Sequence, residues 1–248
     1  MVNIFGKRER KFATRAGDRI YAIGDVHGCY ELLRRLLDKI EAHAGSLPPA
    51  RSPYVVLLGD LIDRGDRSAD ILHLARSIQR HTPRFLVLQG NHEEMMVAAY
   101  EGDLNAVRPW LEFGGDATLR SFGITPPDGE TDVREIVAAM RAAIPEDLID
   151  WMRNLPVTAQ SGDYFFCHAG IRPGVRIKRQ NREDLIWIRD DFLEDRRDHG
   201  VMVVHGHSVT TTTEFLSNRI GIDSGAFRTG VLTALYLEGN ERELLTAE

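Results

Sequence analysis

The stretch Gly59-Asp60-Leu61-Ile62-Asp63-Arg64-Gly65 follows an apolar run, 54–59, that predicts a buried strand. Its Asp60 therefore lies on the loop just past a strand end, which is where open α/β sheets build active sites. Four further strings repeat this arrangement in a fixed order: Gly24-Asp25-Val26-His27-Gly28, Gly90-Asn91-His92-Glu93, His168-Ala169-Gly170 and Gly206-His207-Ser208. One such string would be weak evidence because these residue pairs are common in turns. Five in succession predict a single site built from loops.

The order of apolar runs and helical patterns predicts an α/β fold. Seven short apolar or β-rich runs predict strands, at 20–24, 54–59, 85–89, 164–167, 201–204, 219–222 and 231–237. Apolar residues recur at helical spacing between the first three runs, which predicts parallel strands joined by right-handed crossovers. The later runs are closely spaced with glycine-rich turns, which predicts a second, largely antiparallel sheet packed on the first. The predicted fold class is α/β, a two-sheet sandwich flanked by helices.

A mostly helical stretch interrupts the strand series from about 93 to 154 and predicts a helical cap insertion. Gly114-Gly115 and Pro126-Pro127-Asp128-Gly129 break this stretch, and both breaks predict turns that are too short to be domain linkers. A chain of 248 residues with 43% apolar content falls in the range of one α/β domain. We therefore expect a single domain at 20–248, preceded by a basic leader at 1–19 that we expect to be flexible.

Charge and apolar patterning narrow the possible partners. The formal net charge of -6 argues against a general nucleic-acid binder, which would carry a basic balance or stripe. The sequence shows neither a secretory apolar segment nor a run of transmembrane length, so we expect a cytoplasmic protein without stable membrane insertion. The two cysteines, Cys29 and Cys167, offer no disulfide framework and agree with a reducing compartment. The oligomeric state is left open.

The ligand-type residues of the five strings predict a metal centre. Asp25 and His27 stand two apart at a strand end, so both side chains can converge on one ion. Asp60 ends the next strand, where a carboxylate with two oxygens can bridge two ions. Neutral donors come from the amide oxygen of Asn91 and from the imidazoles of His168 and His207. This mixed nitrogen and oxygen set, without thiolate, suits Mn²⁺, Fe or Zn²⁺ better than a structural zinc cage.

The charge of such a centre favours a phosphate ester as substrate. Two divalent ions, two ligand carboxylates and one bridging hydroxide leave a local excess of about one positive charge, and the ions are the largest charges in the site. The acidic surface of the chain does not repel an anionic ester from this site, because exposed charges beyond about 8 Å are largely screened at physiological salt. The expected partners are therefore phosphorylated proteins or small phosphoesters.

Together the strings resemble those of the phosphoprotein phosphatase family of metallophosphoesterases, especially its compact bacterial and phage members. The resemblance runs from about Ile20 to Thr233 and includes Trp187-Ile188-Arg189 and Ile222-Asp223-Ser224-Gly225-Ala226. It implies the calcineurin-like sandwich fold and two divalent metal ions, with Mn²⁺ expected first and Fe or Zn²⁺ as alternatives. By this resemblance Asp25 and His27 hold the first metal and Asp60 bridges. The second metal is held by Asn91, His168 and His207.

His205 competes with His207 for the last ligand position, because the two residues share a strand face at period two. The family pattern places the ligand in the Gly-His-Ser unit. We therefore assign His207 and expect His205 to lie behind the ligands.

The same residues suggest a direct hydrolysis without a phosphoenzyme. Two cations lower the pKa of a bridging water, so that hydroxide is available for in-line attack on phosphorus. Arg64 and Arg189 are the candidates for binding phosphate oxygens, since a guanidinium fork matches phosphate geometry. His92 is the candidate proton donor for the leaving group, with Asp63 as the group that fixes its tautomer. For Glu93, which opens the helix after Asn91, we expect a capping role.

Three functions are compatible with these residues. A protein serine/threonine phosphatase is the first expectation, because Asp63-Arg64-Gly65 and the glutamate after His92 favour it. A dinucleoside polyphosphate hydrolase of the diadenosine tetraphosphate type could use the same metal centre. An inactive binding or scaffold module is the alternative of another class, but a scaffold has no physical need for six converging donors.

Overall fold

The computed structural model describes residues 11–125, 131–210 and 212–248. The predicted turn at Pro126-Pro127-Asp128-Gly129 lies outside the described residues. In chain order, the strands are β1 (Asp18–Ile23), β2 (Ser52–Leu57), β3 (Phe85–Val87), β4 (Thr158–Ser161), β5 (Tyr164–Cys167), β6 (Met202–His205), β7 (Glu214–Phe215), β8 (Arg219–Gly221), β9 (Leu232–Glu238) and β10 (Glu241–Ala247). The α-helices are α1 (Tyr30–Ser46), α2 (Ser68–His81), α3 (Asn91–Glu101), α4 (Leu104–Trp110), α5 (Asp116–Ser121), α6 (Val133–Ala143), α7 (Glu146–Arg153), α8 (Arg182–Trp187), α9 (Asp190–Leu193) and α10 (Ala226–Thr229).

Two five-stranded mixed sheets make up the fold, so the predicted α/β sandwich is confirmed. The first has the order β10-β9-β1-β2-β3, and β1, β2 and β3 are parallel. The second has the order β4-β5-β6-β8-β7. Its central strands β5, β6 and β8 are parallel, and only the two edge pairs are antiparallel.

The prediction of a largely antiparallel second sheet was wrong in two respects. The connection from β5 to β6 is a crossover that contains α8 and α9, so these strands run parallel. The closely spaced run at 231–237 forms β9, which pairs with β1 of the first sheet instead of joining the second. Apolar patterning marks a strand as buried but does not say which neighbour it pairs with, and β4, β7 and β10 were not predicted.

Alternation along the strands explains the layers. Alternate residues of both sheets meet in one core between them, as Ile20 and Ala22 of β1 do with Phe166 of β5. The intervening residues of β1, Tyr21 and Ile23, pack outward against α1, α2 and the helices of the cap region. The outward side chains of β5 and β6 pack on α8 and α9. Because side chains alternate along a strand, one face of each sheet lines the central core and the opposite face packs against helices.

Part of the predicted leader is packed into the fold. Phe12 is 5% exposed and joins the core between the sheets, and the Thr14 N–H donates to the Gly239 carbonyl oxygen at 2.9 Å. From Phe12 onward the described part of the leader is therefore ordered. The longest described helix has 17 residues, and no helix in the described ranges has the length and apolar character needed to cross a membrane.

The helical stretch between β3 and β4 comprises α3 to α7. Its Gly114-Gly115 break is a kink in the segment Leu111–Gly115, where Gly114 leaves the helical conformation with φ of 105°. We call the segment from α4 through α5, Leu104 to Ser121, the cap arm. The Gly114 carbonyl oxygen accepts the Arg64 N–H at 3.1 Å, so the cap arm is fastened directly to the loop after β2.

Candidate metal centre

The loops that carry the predicted ligands have unusual backbone conformations. Among the described residues, the non-glycine residues with positive φ are His27, Asp60, Asp63, Arg64 and His207. All five belong to the strings found in the sequence. Left-handed backbone at non-glycine residues is unfavourable and is retained mainly at functional sites, where surrounding contacts enforce it.

Two glycines let carboxylates approach the chain closely. A Cβ at Gly206 would lie 2.0 Å from Asp25 Oδ1, and one at Gly90 would lie 2.2 Å from Asp60 Oδ1. Any side chain at either position would therefore displace a predicted ligand carboxylate. This contact explains why glycine precedes both His207 and Asn91.

Asp60 is the centre of the site. Its Oδ2 lies 3.6 Å from His27 Nε2, 3.8 Å from His92 Nε2 and 3.3 Å from His168 Nε2. Two groups of buried residues share Asp60 and have ligand atoms that lie within 4.8 Å of one another: His27, Asp60 and His92, and Asp60, His168 and His207. One carboxylate between two such groups is the arrangement that a bridging ligand requires.

The second group is completed by Asn91, whose Oδ1 lies 3.0 Å from His168 Nε2. The last histidine also belongs here, because His207 Nδ1 is 3.1 Å from the same nitrogen. His205 points elsewhere: its ring packs edge-on against Phe192, and its Nδ1 hydrogen-bonds the Gly206 carbonyl oxygen at 3.0 Å. Of the two competing histidines, the structure brings His207 to Asp60.

Asp25 lies beside these groups and belongs to neither. Its carboxylate oxygens accept the His207 N–H at 3.0 and 3.2 Å, and its Oδ1 is 4.0 Å from His168 Nδ1. Asp25 thereby connects the loop after β1 with the loop after β6.

The chemistry of the donors fits divalent cations. His168 Nδ1 donates to the Leu58 carbonyl oxygen at 3.0 Å, so in the neutral ring Nε2 has no proton and presents a lone pair. That lone pair faces the oxygens of Asn91 and Asp60, which are acceptors as well. Acceptors that face one another in a buried site need positive charge between them, which either a proton on His168 or a bound divalent ion supplies.

Charge balance leads to the same conclusion. Asp25, Asp60 and Asp223 are each 2% exposed and crowd negative charge into one volume. Burial raises the pKa of Asp25 well above its ordinary value, and neighbouring Asp223 adds to this. Burial alone lowers the pKa of His168, but the carboxylates of Asp60 and Asp25 raise it to about 10. Neighbouring histidines hold the pKa of Asp60 well below its ordinary value against the effect of burial, and bound divalent ions would add positive charge beside all three carboxylates.

The remaining two imidazoles are neutral, as metal ligands must be. Burial lowers the pKa of His27 to about 3 and that of His207 to about 2. His27 Nδ1 hydrogen-bonds the Ile62 carbonyl oxygen at 2.8 Å, which leaves Nε2 as the lone pair facing Asp60. The described groups therefore can hold divalent metal ions, and they do not determine which metal is bound.

His92 and Asp63 form the predicted pair. His92 Nδ1 lies 2.6 Å from Asp63 Oδ2, and its Nε2 faces the metal groups. Burial alone lowers the pKa of His92, but the carboxylates of Asp60 and Asp63 raise it above the ordinary value. A histidine held in this way can carry a proton into the site.

The two predicted phosphate-binding arginines differ in position. Arg64 Nη1 lies 2.8 Å from His27 Nε2, and Nη2 lies 3.2 Å from His92 Nε2, so the guanidinium spans the cleft. Arg189 is exposed at the start of α9. It is near enough that its charge adds to burial in lowering the pKa of His207.

Several residues at the site were not identified from the sequence. Trp110 and Thr118 of the cap arm reach Asp63, and Asp223 lies among the ligand carboxylates. Two exposed rings flank the cleft: Phe113 lies 6.4 Å from the His92 ring and Phe227 lies 5.5 Å from the His27 ring. Only Asp223 stood in a string that the resemblance had marked, Ile222 to Ala226.

Comparison with known proteins agrees with this geometry. Residues 18–227 match the calcineurin-like phosphoesterase family, so the chain belongs to this family of metal-dependent phosphoesterases. Family membership, together with relatives named as hydrolases, supports an enzyme and argues against an inactive scaffold.

Individual relatives differ in the substrates that their names state. Over 154 residues the chain is 34% identical to a symmetrical bis(5'-nucleosyl)-tetraphosphatase of Dechloromonas aromatica, and the match covers 62% of this chain and 44% of that protein. It is 28% identical over 240 residues to serine/threonine-protein phosphatase 2 of Escherichia coli, covering 91% and 96%. A solved structure described as a putative diadenosine tetraphosphatase superposes with a TM-score of 0.64 at 19% identity, covering 96% of this chain and 99% of the other, and shows the shared fold.

Proposed function

We propose that this chain hydrolyses phosphomonoesters and that its substrates are phosphorylated serine and threonine side chains of proteins. The observation that carries the proposal is the 2.6 Å contact between His92 Nδ1 and Asp63 Oδ2, with His92 Nε2 facing the metal groups. A serine or threonine alkoxide is a poor leaving group, and a positioned proton donor accelerates its departure by about 10²–10⁴. The match to a protein phosphatase over nearly the whole of both chains supports the same substrate class.

Each side chain has a defined task in this proposal. Asp25, His27 and Asp60 would hold one divalent ion, and Asp60, Asn91, His168 and His207 the other. When bound, the two ions supply Lewis acidity and lower the pKa of water for in-line attack. Arg64 and Arg189 bind the phosphate oxygens and orient the ester, while His92 transfers its Nε2 proton to the departing oxygen. We propose Mn²⁺ as the metal that is bound.

His92→Asn tests the proton donor. We expect this variant to keep its metal content but to lose about 10²–10⁴ in kcat on a phosphoserine peptide, because the alkoxide then departs unprotonated. On 4-nitrophenyl phosphate the loss should be much smaller, because 4-nitrophenolate leaves readily without a proton. Metal analysis and steady-state kinetics with added Mn²⁺ measure both effects. Equal losses on the two substrates would rule out the role of His92 as general acid.

A dinucleoside polyphosphate hydrolase is the second candidate, and the two exposed rings favour it. Phe113 is 52% and Phe227 is 38% exposed, one on each side of the pair His27 and His92, whose ring centroids are 4.7 Å apart. Exposed aromatic faces beside a phosphate site can stack on nucleobases. The relatives named as tetraphosphatases support this candidate as well.

Substrate panels separate the two candidates. Turnover of phosphoserine, phosphothreonine and phosphotyrosine peptides is compared with that of diadenosine tetraphosphate, in wild type and in Phe113→Ala and Phe227→Ala. A protein phosphatase should prefer the phosphoserine and phosphothreonine peptides. A preference for the dinucleotide that both alanine variants abolish would replace the first candidate by the second.

A further inference from the structure

Asp63 is held by more partners than its role as a neighbour of His92 requires. The residue is 0% exposed and has φ of 73°. Besides His92, its carboxylate accepts the indole N–H of Trp110, at 2.9 Å to Oδ2, and the hydroxyl of Thr118, at 2.6 Å to Oδ1. Each carboxylate oxygen therefore has a donor from the cap arm.

Thr118 holds both ends of Asp63. Its Oγ1 accepts the backbone N–H of Asp63 at 2.9 Å while its hydroxyl donates to the carboxylate of the same residue. The side chains of Thr118 and Trp110 are both fully buried. Gly115 packs flat against the indole, since a Cβ there would lie 2.5 Å from Trp110 Cε2. The cap arm is therefore shaped so that these two donors reach one carboxylate.

We infer that Trp110 and Thr118 are positioning residues for proton transfer by His92. With its two oxygens held by the cap arm, the carboxylate of Asp63 can turn neither away from His92 Nδ1 nor toward another donor. Nδ1 then carries the hydrogen bond to Asp63, and Nε2 is directed into the cleft, 3.8 Å from Asp60 Oδ2. Outer partners of this kind commonly fix the tautomer and orientation of a functional histidine. The inference rests on the proposed function, because it assumes that His92 donates the proton.

Conservative variants test the inference. Thr118→Val keeps the shape and removes the hydroxyl, Thr118→Ser restores it, and Trp110→Phe removes the indole N–H. We expect Thr118→Val and Trp110→Phe to lower kcat on a phosphoserine peptide by about 10- to 100-fold, with unchanged KM and a much smaller effect on 4-nitrophenyl phosphate. Thr118→Ser should recover most of the lost rate.

A second tryptophan provides the matched control. Trp151 of α7 donates its indole N–H to Gln79 Oε1 at 2.8 Å, far along the chain from Asp63. Trp151→Phe removes the same kind of donor from the same helical region, so it should leave the ratio of the two rates unchanged. A changed ratio in this control would show that loss of an indole donor away from Asp63 has the same effect, and would overturn the inference.

A spectroscopic readout tests the geometry without turnover. In the protein loaded with diamagnetic Zn²⁺, the short contact between His92 Nδ1 and Asp63 should place the ring N–H proton of His92 far downfield in the proton NMR spectrum, and its absence in His92→Asn assigns it. We expect this resonance to persist in Thr118→Ser and Trp151→Phe and to shift upfield or disappear in Thr118→Val and Trp110→Phe. An unchanged resonance in both of the latter variants would overturn the inference.

Double variants separate failure of the inference from failure of the proposed function. If His92 is the donor and the cap arm acts through it, Thr118→Val should cause no further loss on the phosphoserine peptide in a His92→Asn background. Additive losses would overturn the inference and leave the role of His92 intact. If His92→Asn itself affected both substrates equally, the proposed function would fail first.

Discussion

Glu93 shows how one buried carboxylate can support a whole site. Its two oxygens accept the backbone N–H groups of Asp60 at 2.9 Å, Leu61 at 2.7 Å and Gly90 at 2.8 Å. The capping role expected from the sequence accounts for only the bond to Gly90. The other two bonds hold the loop on which Asp60 adopts its positive φ.

Glu93→Gln should therefore weaken both metal binding and folding. In the variant, an amide NH₂ would replace one carboxylate oxygen that accepts backbone N–H groups. At least one buried backbone N–H would then lose its acceptor, which costs about 1–3 kcal/mol. We expect lower affinity for Mn²⁺ in calorimetric titration and a lower free energy of unfolding in urea. Glu101→Gln, at the exposed end of the same helix, is the control. Unchanged Mn²⁺ affinity in Glu93→Gln would contradict the proposed support of Asp60.

At this scale the sequence was most informative about residues on strand-end loops. The positions of Asp60, His168 and His207 could be predicted because each lies within three residues of a strand end, so local order alone puts its side chain at the sheet edge. Trp110 and Thr118 could not, since they lie 47 and 55 residues from Asp63 along the chain. An apolar ring and a threonine within a helical pattern predict packing, and only the tertiary path of the cap arm brings them to the site.

At the scale of elements, the kink at Gly114 in the cap arm packs directly on the cleft residue Arg64. A Cβ at Gly114 would lie 2.8 Å from Arg64 Cγ and 2.9 Å from its backbone nitrogen. Gly123 also has a positive φ, 74°, but nothing lies within 4 Å of the corresponding position. Both glycines therefore have a positive φ that disfavours other residues, but only Gly114 lies against Arg64.

Gly114→Ala should weaken the binding of inorganic phosphate as a competitive inhibitor, because the added methyl group displaces Arg64. Both Gly114→Ala and Gly123→Ala should lose about 1–3 kcal/mol of stability from the left-handed backbone. Only the first should raise the inhibition constant. Equal inhibition constants in the two variants would show that Gly114 has no influence on Arg64.

The pairing of β1 with β9 includes an ion pair that makes stability depend on pH. Arg19 Nε lies 2.7 Å from Glu238 Oε2, and the hydrogen bond from this guanidinium is the main reason that the pKa of Glu238 lies below its ordinary value. A depressed pKa stabilises the folded state at pH values above the unfolded pKa of about 4.5. That contribution is lost as the pH falls through the lower, folded pKa.

Glu238→Gln should therefore lower the free energy of unfolding by about 1 kcal/mol at pH 7, because a partly exposed ion pair is screened by solvent. The difference from wild type should disappear below the folded pKa, where Glu238 is itself neutral. Urea unfolding at several pH values measures this, with Glu241→Gln in the neighbouring strand as the control. A difference that persists unchanged at the lowest pH would assign the effect to packing.

Across the whole molecule, the candidate ligands are shared between the two sheets. Asp25, Asp60 and Asn91 follow strands of the first sheet, and His168 and His207 follow strands of the second. Bound ions would therefore cross-link the two layers of the sandwich. The strand ends that build the site could be predicted from the sequence, but the assignment of β9 to the first sheet depends on pairing across more than 200 residues.

Metal removal should destabilise the entire fold. A ligand present at about 100 times its dissociation constant adds about 2.7 kcal/mol. We expect chelation to lower Tm by about 5–10 °C in scanning calorimetry, since each kcal/mol corresponds to about 2–4 °C in a domain of this size. Mn²⁺ should restore Tm in wild type and have a much smaller effect in Asp60→Asn. A wild-type Tm that does not respond to chelation would contradict the metal centre.

The hold of Trp110 and Thr118 on Asp63 limits how this chain can be redesigned. Phe113, which borders the cleft, lies between these two residues in the cap arm. A library that swaps the whole segment to recruit new substrates would discard the partners of Asp63 as well. Point changes at Phe113, with Trp110 and Thr118 preserved, let selection act on molecular recognition alone.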